Sequence, residues 1–159
     1  MRFLIFITSI LSLVACQPSA PQAQSNANGH TEEQIAQQEQ KRLEVMAVHD
    51  AVMPEMSTIN RLSRTLRPLV KEKMSEDEQE ILLDALKNLQ QADEGMMNWM
   101  ADFHNNLDVL RDSMDHQAIM SYLGAEFEKI KVVDTQMRSS IETGKKLVDQ
   151  YGLDQNKKQ

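Results

Sequence analysis

LLDALKNLQQADEGMMNWMADFHNNLDVLRDSM, residues 82–114, is the stretch on which the fold turns. A seam runs through it at Leu82, Leu86, Leu89, Asp93, Met96, Met100, Phe103, Leu107, Leu110 and Met114, in alternating steps of four and three. That spacing keeps the series on one side of a helix and matches the heptad seam of a coiled coil. Only Asp93 interrupts its apolar character.

Working outward, the same period recurs on both sides. Upstream it passes through Val45, His49, Val52, Met56, Ile59, Ser63, Leu66 and Val70. Thr31 is the expected N-cap of this first segment, while Pro68 and the charged Lys71-Glu72-Lys73 close it. Ser75-Glu76-Asp77-Glu78 reads as the capping box that opens the second segment. Downstream, Ser113 or Asp115 is placed to cap a third segment carrying Met120, Leu123, Phe127, Ile130, Asp134, Met137, Ile141, Gly144, Val148 and Tyr151, ending at Gly152. Each segment is about 36 residues, or ~55 Å of helix. Short connections make neighbours antiparallel, so the expected fold is all-α: an up-down-up bundle of three long helices with coiled-coil-like packing.

Composition agrees with that reading. Five Gly and four Pro in 159 residues leave few tight turns for a sandwich, and the chain is 41% apolar and 26% charged, as one ordinary domain is. The formal charge of -7 argues against nucleic acid as a partner. One Cys excludes both a disulfide framework and a thiolate zinc site.

That Cys belongs to a targeting segment. Met1 and Arg2 precede an apolar run from Phe3 to Leu13, and Leu13-Val14-Ala15-Cys16 ends it. The run is shorter than the ~20 residues of a spanning helix. The tetrapeptide resembles a bacterial lipobox, and the resemblance implies cleavage before Cys16, acylation of its thiol, and a membrane anchor. Gln17, where an Asp would imply retention in the inner membrane, points by the same resemblance to the outer membrane. With no acidic cluster behind the Cys, the body is expected to face the periplasm. Cleavage removes Arg2 and no acid, so the mature chain is one unit more acidic. The domain boundaries expected are a signal peptide at 1–15, the lipidated Cys and a flexible tether at 16–30, the bundle at 31–154, and a polar tail at 155–159. The tether is Gln, Ser, Ala, Pro and Asn without an apolar period, spanning ~20 Å as a coil. His30, at its end, reads as a solvated linker residue.

Two readings remain open for function. A turn near Lys73 sets His49 opposite Met97 and Met53 opposite Asp93, and a turn near Asp115 sets Met96 near Asp134. His49, Asp93 and Asp134 would then share one polar core layer that fixes register. Alternatively, Met46, His49, Met53 and Met56 on one stripe, with Met97, Met100 and His104 on another, offer thioether and imidazole ligands of the kind that suit Cu(I). The stretch His49-Asp50-x-x-Met53-Pro54-x-Met56 resembles, in a general way, His/Met-rich helical proteins of the bacterial envelope. Methionine is equally an adaptable core filler. Pro54, one turn after His49, predicts a kink. Trp99 and Phe103 read as core or groove residues, and Asp108 and Asp112 near His104 and His116 as solvated charges. The sequence has no His-Glu-x-x-His, Glu-x-x-His, phosphate loop or nucleophile elbow, so the expected protein is no enzyme. It is expected to play a binding or structural role with an envelope protein partner, and to need no cofactor unless copper.

Overall fold

The computed structural model describes residues 29–153. Cys16, the signal peptide, the tether up to residue 28 and the polar tail from residue 155 lie outside them. The regular structure is helical: α1 Glu32–Val52, α2 Met56–Leu66, α3 Glu76–Asp102, α4 Leu107–Ser113 and α5 His116–Gln150, with 3₁₀ turns at Met53–Glu55 and Arg67–Lys71.

Local chemistry sets the helix starts. Gln34 N–H donates to Thr31 Oγ1 at 3.2 Å while Gln34 Oε1 takes Thr31 N–H at 3.0 Å. Ser75 and Glu78 make the same reciprocal pair. Hydrogen bonds from the Ser75 hydroxyl and N–H hold the Glu78 carboxyl below its ordinary range. Of the two cap candidates for α5, Asp115 is the one used, accepting from Ala118 N–H at 2.8 Å. The chain leaves α5 through Gly152, whose φ of 64° is left-handed backbone, so that Leu153 N–H can reach the Val148 carbonyl at 2.9 Å.

The expected kink at Pro54 takes the form of the single 3₁₀ turn that separates α1 from α2. The second segment differs from the expectation of one unbroken helix, because α3 stops at Asp102 and α4 starts at Leu107. His104, Asn105 and Asn106 are weak helix formers whose side chains compete for the backbone. Asn106 caps α4 through Asp108 N–H at 3.1 Å, and the Tyr122 hydroxyl on α5 accepts His104 N–H at 2.7 Å. Leu107 and Leu110 are buried all the same, in a small cluster with Ile119 and Leu123.

The main core is one cluster drawn from α1, α2, α3 and α5. Its buried stripe is wider than the heptad seam. Ala85 and Ala92 on α3 are buried beside the seam positions Leu86 and Asp93, and Val133 on α5 beside Asp134. Packing joins α1 to α5, and α3 to both α2 and α5. Numbers climb together on the first segment and α5, with Lys41 Nζ 4.2 Å from the Phe127 ring centre and Leu62 against Gly144. Between α3 and α5 they run in opposite senses, with Leu89 at Gly144 and Phe103 at Tyr122.

Candidate functional site

His49 stands at the centre of the candidate site. Its Nδ1 lies 2.8 Å from Asp50 Oδ1, and its ring centre is 5.5 Å from that of Trp99 on α3. Trp99 stacks on Phe103 at 4.7 Å, Phe103 faces Tyr122 at 6.3 Å, and Tyr122 faces His104 at 6.4 Å. A ladder of rings thus crosses from α1 through α3 to α5. Burial pushes the Tyr122 hydroxyl above its ordinary pKa, against the lowering effect of its bond from His104 N–H.

The polar layer is not assembled as expected. His49 bonds Asp50, Asp93 accepts from Asn60 Nδ2 at 3.2 Å, and Asp134 pairs with Arg138 at 2.7 Å. Each group is satisfied separately, His49 and Asp134 within their own helices and Asp93 across to α2. The reason is angular: Ala92 and Val133 take the buried positions, leaving Asp93 and Asp134 at the rim, where neither carboxylate is stripped of water.

The methionines divide. Met46, Met53, Met56 and Met100 are half-buried against the main core, flanking His49 along the chain or neighbouring Trp99. Met97 is 53% exposed and turned away from the core where Met96 is fully buried, and His104 is exposed beyond Tyr122. Of the soft-ligand set, the structure keeps Met46, His49, Met53, Met56 and Met100 on the core side. Among the described residues, no three His, Cys, Asp or Glu side chains gather as a metal cluster.

A second constellation escaped the sequence reading. His30, expected in solvent, is 3% exposed and sits with Gln38, Arg111 and His116 where α1, α4 and α5 begin or end together. Arg111 Nε donates to Gln38 Oε1 at 2.7 Å. A guanidinium can only donate, so this bond fixes the amide with its NH₂ toward the two imidazoles, each Nδ1 at 3.2 Å. Both histidines therefore accept at Nδ1, and His30 Nε2 carries the hydrogen directed at the Arg111 carbonyl, 3.4 Å away. Arg111 Nη1 pairs with Asp108 at 2.9 Å. A cleft of about 530 Å³ opens beside them between Gly29, Gln34 and Asp115. With both Nδ1 atoms committed to one amide, the group clamps the start of α1 to α4 and α5.

Arg42 ties the same region to the helix break. It pairs with Glu39 and donates through Nη1 to Asn105 Oδ1 at 2.9 Å. The Arg42 hydrogen bond holds the Glu39 carboxyl below its ordinary range, outweighing the opposing effect of burial.

Compared with protein-family models, curated proteins and solved structures, the chain gave no match.

Proposed function

We propose that this protein is a lipid-anchored helical bundle of the bacterial envelope, held by acylated Cys16 at the outer membrane and facing the periplasm, with a non-enzymatic binding or structural role. Its architecture is read as three antiparallel segments, up-down-up, the first kinked at Pro54 and the second broken at residues 103–106. The lipobox Leu13-Val14-Ala15-Cys16 supports the anchor. The observation that carries the reading is the buried His30: the residue next to the polar tether is already locked to Gln38 and Arg111. A leash that runs straight into a clamped body suits a protein held at a surface while its bundle meets a partner. Replacing Cys16 by Ser is expected to abolish labelling of the protein by a fatty acid, because no other residue supplies the thiol. Label retained by the Ser variant would end the lipoprotein reading.

A second reading, soft-metal binding, is favoured by the geometry at His49. Asp50 occupies Nδ1, as a carboxylate commonly does for a histidine that binds metal through its other nitrogen, and among the described residues no hydrogen bond engages Nε2. Met46 and Met53 stand about one turn to either side. Thermal unfolding of the full chain with and without Cu(I) under reducing conditions tests it. At 100 times the dissociation constant the ion adds ~2.7 kcal/mol of stability. His49→Leu and Met53→Leu are expected to remove that gain, and Met53→Leu to cost the metal-free protein less than about 1.5 kcal/mol. If the wild type gains nothing, the methionines are core packing.

A further inference from the structure

Most cations on α1, α4 and α5 that form ion pairs do so with a carboxylate three or four residues away, as in Lys41–Glu44, Arg111–Asp108, Arg138–Asp134 and Lys146–Glu142. The second half of the first segment breaks that habit. From Met56 to Met74 the chain carries Arg61, Arg64, Arg67, Lys71 and Lys73 against the single acid Glu72, in a protein whose net charge is -7. All five cations are exposed, and among the described residues none of them forms an ion pair.

Spacing gathers three of them. Asn60, Ser63, Arg64, Arg67 and Lys71 follow one face of α2 into the 3₁₀ turn, and with Pro68 and Glu72 they line a groove of about 720 Å³. Arg64 spends only Nε, on the Asn60 carbonyl at 3.3 Å, which leaves both Nη groups to donate. Like charges three and four residues apart on a helix repel and cost folding free energy. A groove that gathers three of them against one acid is built to meet an anion. Two guanidinium forks followed by an ammonium match the several oxygens and double charge of a phosphate better than the two oxygens of one carboxylate. Glu72 leaves the groove a net charge of about two, in balance with one phosphate dianion.

We propose that this groove, with Arg64, Arg67 and Lys71 as its donors, is a binding site for a phosphate group, borne either by a lipid headgroup or by a free phosphate compound. The site rests on no part of the anchor or metal readings.

The test is calorimetric titration of the full chain, in neutral detergent micelles, with inorganic pyrophosphate at low salt and again at about 0.15 M, where charges beyond ~8 Å are screened. Wild type is expected to bind at one site, more weakly in salt. The triple variant Arg64→Gln, Arg67→Gln, Lys71→Gln is expected to lose at least about tenfold in affinity, and the control pair Lys145→Gln, Lys146→Gln less than about twofold. Helical circular dichroism checks the fold, and the single Arg67→Gln stands in should the triple variant lose helix. Phosphatidic acid, whose monoester phosphate approaches the double charge of a dianion, is mixed into the micelles to distinguish the sources: competition with pyrophosphate assigns a lipid phosphate, and its absence a free one. No pyrophosphate binding by wild type, or equal binding by the folded variants, overturns the site. Tighter, arginine-dependent binding of polyglutamate than of pyrophosphate overturns the phosphate assignment in favour of an acidic protein.

Discussion

Replacing Leu89 by Ala is expected to destabilise the protein by about 3 to 5 kcal/mol, in the upper range for buried Leu truncations. Leu89 is 0% exposed, and its side chain lies against α5 at Gly144. A Cβ at Gly144 would stand 3.4 Å from Leu89 Cδ1 and 3.1 Å from Leu62 Cδ1, so the two leucines already fill the space that a glycine leaves. Remove Leu89, and the facing residue has no side chain to swing into the void. The cavity therefore stays open, and cost grows with cavity volume.

The same geometry supplies a control. Gly144→Ala alone sets a helix-propensity gain of about 1 kcal/mol against the crowding at Leu62, with a small net effect. Combined with Leu89→Ala, the vacated space gives Leu62 room to yield to the new methyl, which partly fills the void. The substitution at 144 is then expected to stabilise, giving a coupling of about 0.5 to 3 kcal/mol between the sites in urea unfolding. Additive effects would mean that Leu89 and Gly144 do not share a packing contact.

What was legible in the sequence was what acts over one or two helical turns. Thr31 and Ser75 cap helices by bonding to residues three positions on, and Pro54 breaks the ladder within its own turn, so spacing alone locates them. The register about the turn near Lys73 was also close. The expected pairing sets His49 opposite Met97, and its ring meets Trp99, two residues further on. A two-residue difference rotates a helix by more than half a turn, however, and this decides which side chain is inside. The heptad sets Asp93 and Asp134 at core positions that Ala92 and Val133 occupy, because it understates the breadth of a stripe facing two neighbours. The break at residues 103–106 was hidden for a different reason. Leu107 and Leu110 keep the apolar period across it, and the period reports burial whether or not the backbone between is helical. His30 was beyond reach of any local pattern, since its partners include a residue 81 positions away.

Replacing Gln38 by Leu is expected to cost about 2 to 4 kcal/mol, although the two side chains are similar in size and the site is fully buried. One amide serves three partners there: it accepts from Arg111 Nε and donates to His30 Nδ1 and His116 Nδ1. Leucine takes away the acceptor of a charged donor and the hydrogens that both imidazole Nδ1 atoms accept. The guanidinium has little in reserve, because among the described residues its buried Nη2 already meets no acceptor and Nη1 depends on exposed Asp108. An unmade bond to a buried charge costs more than the net gain from making it, so the loss exceeds the ~1 kcal/mol of an average hydrogen bond. A double-mutant cycle separates the unpaired-charge cost from simple packing. Arg111→Leu alone strands the Gln38 carbonyl oxygen, and the double Leu variant strands neither partner of that bond, so it is expected to lose less than the sum of the singles by about 1 to 3 kcal/mol. Amide hydrogen exchange should report the same event locally, with protection falling first around the Thr31 cap of α1, which follows the residue the amide holds. Strict additivity, with unchanged exchange at the start of α1, would show that water replaces Gln38 at little cost and that the amide does not hold the start of α1.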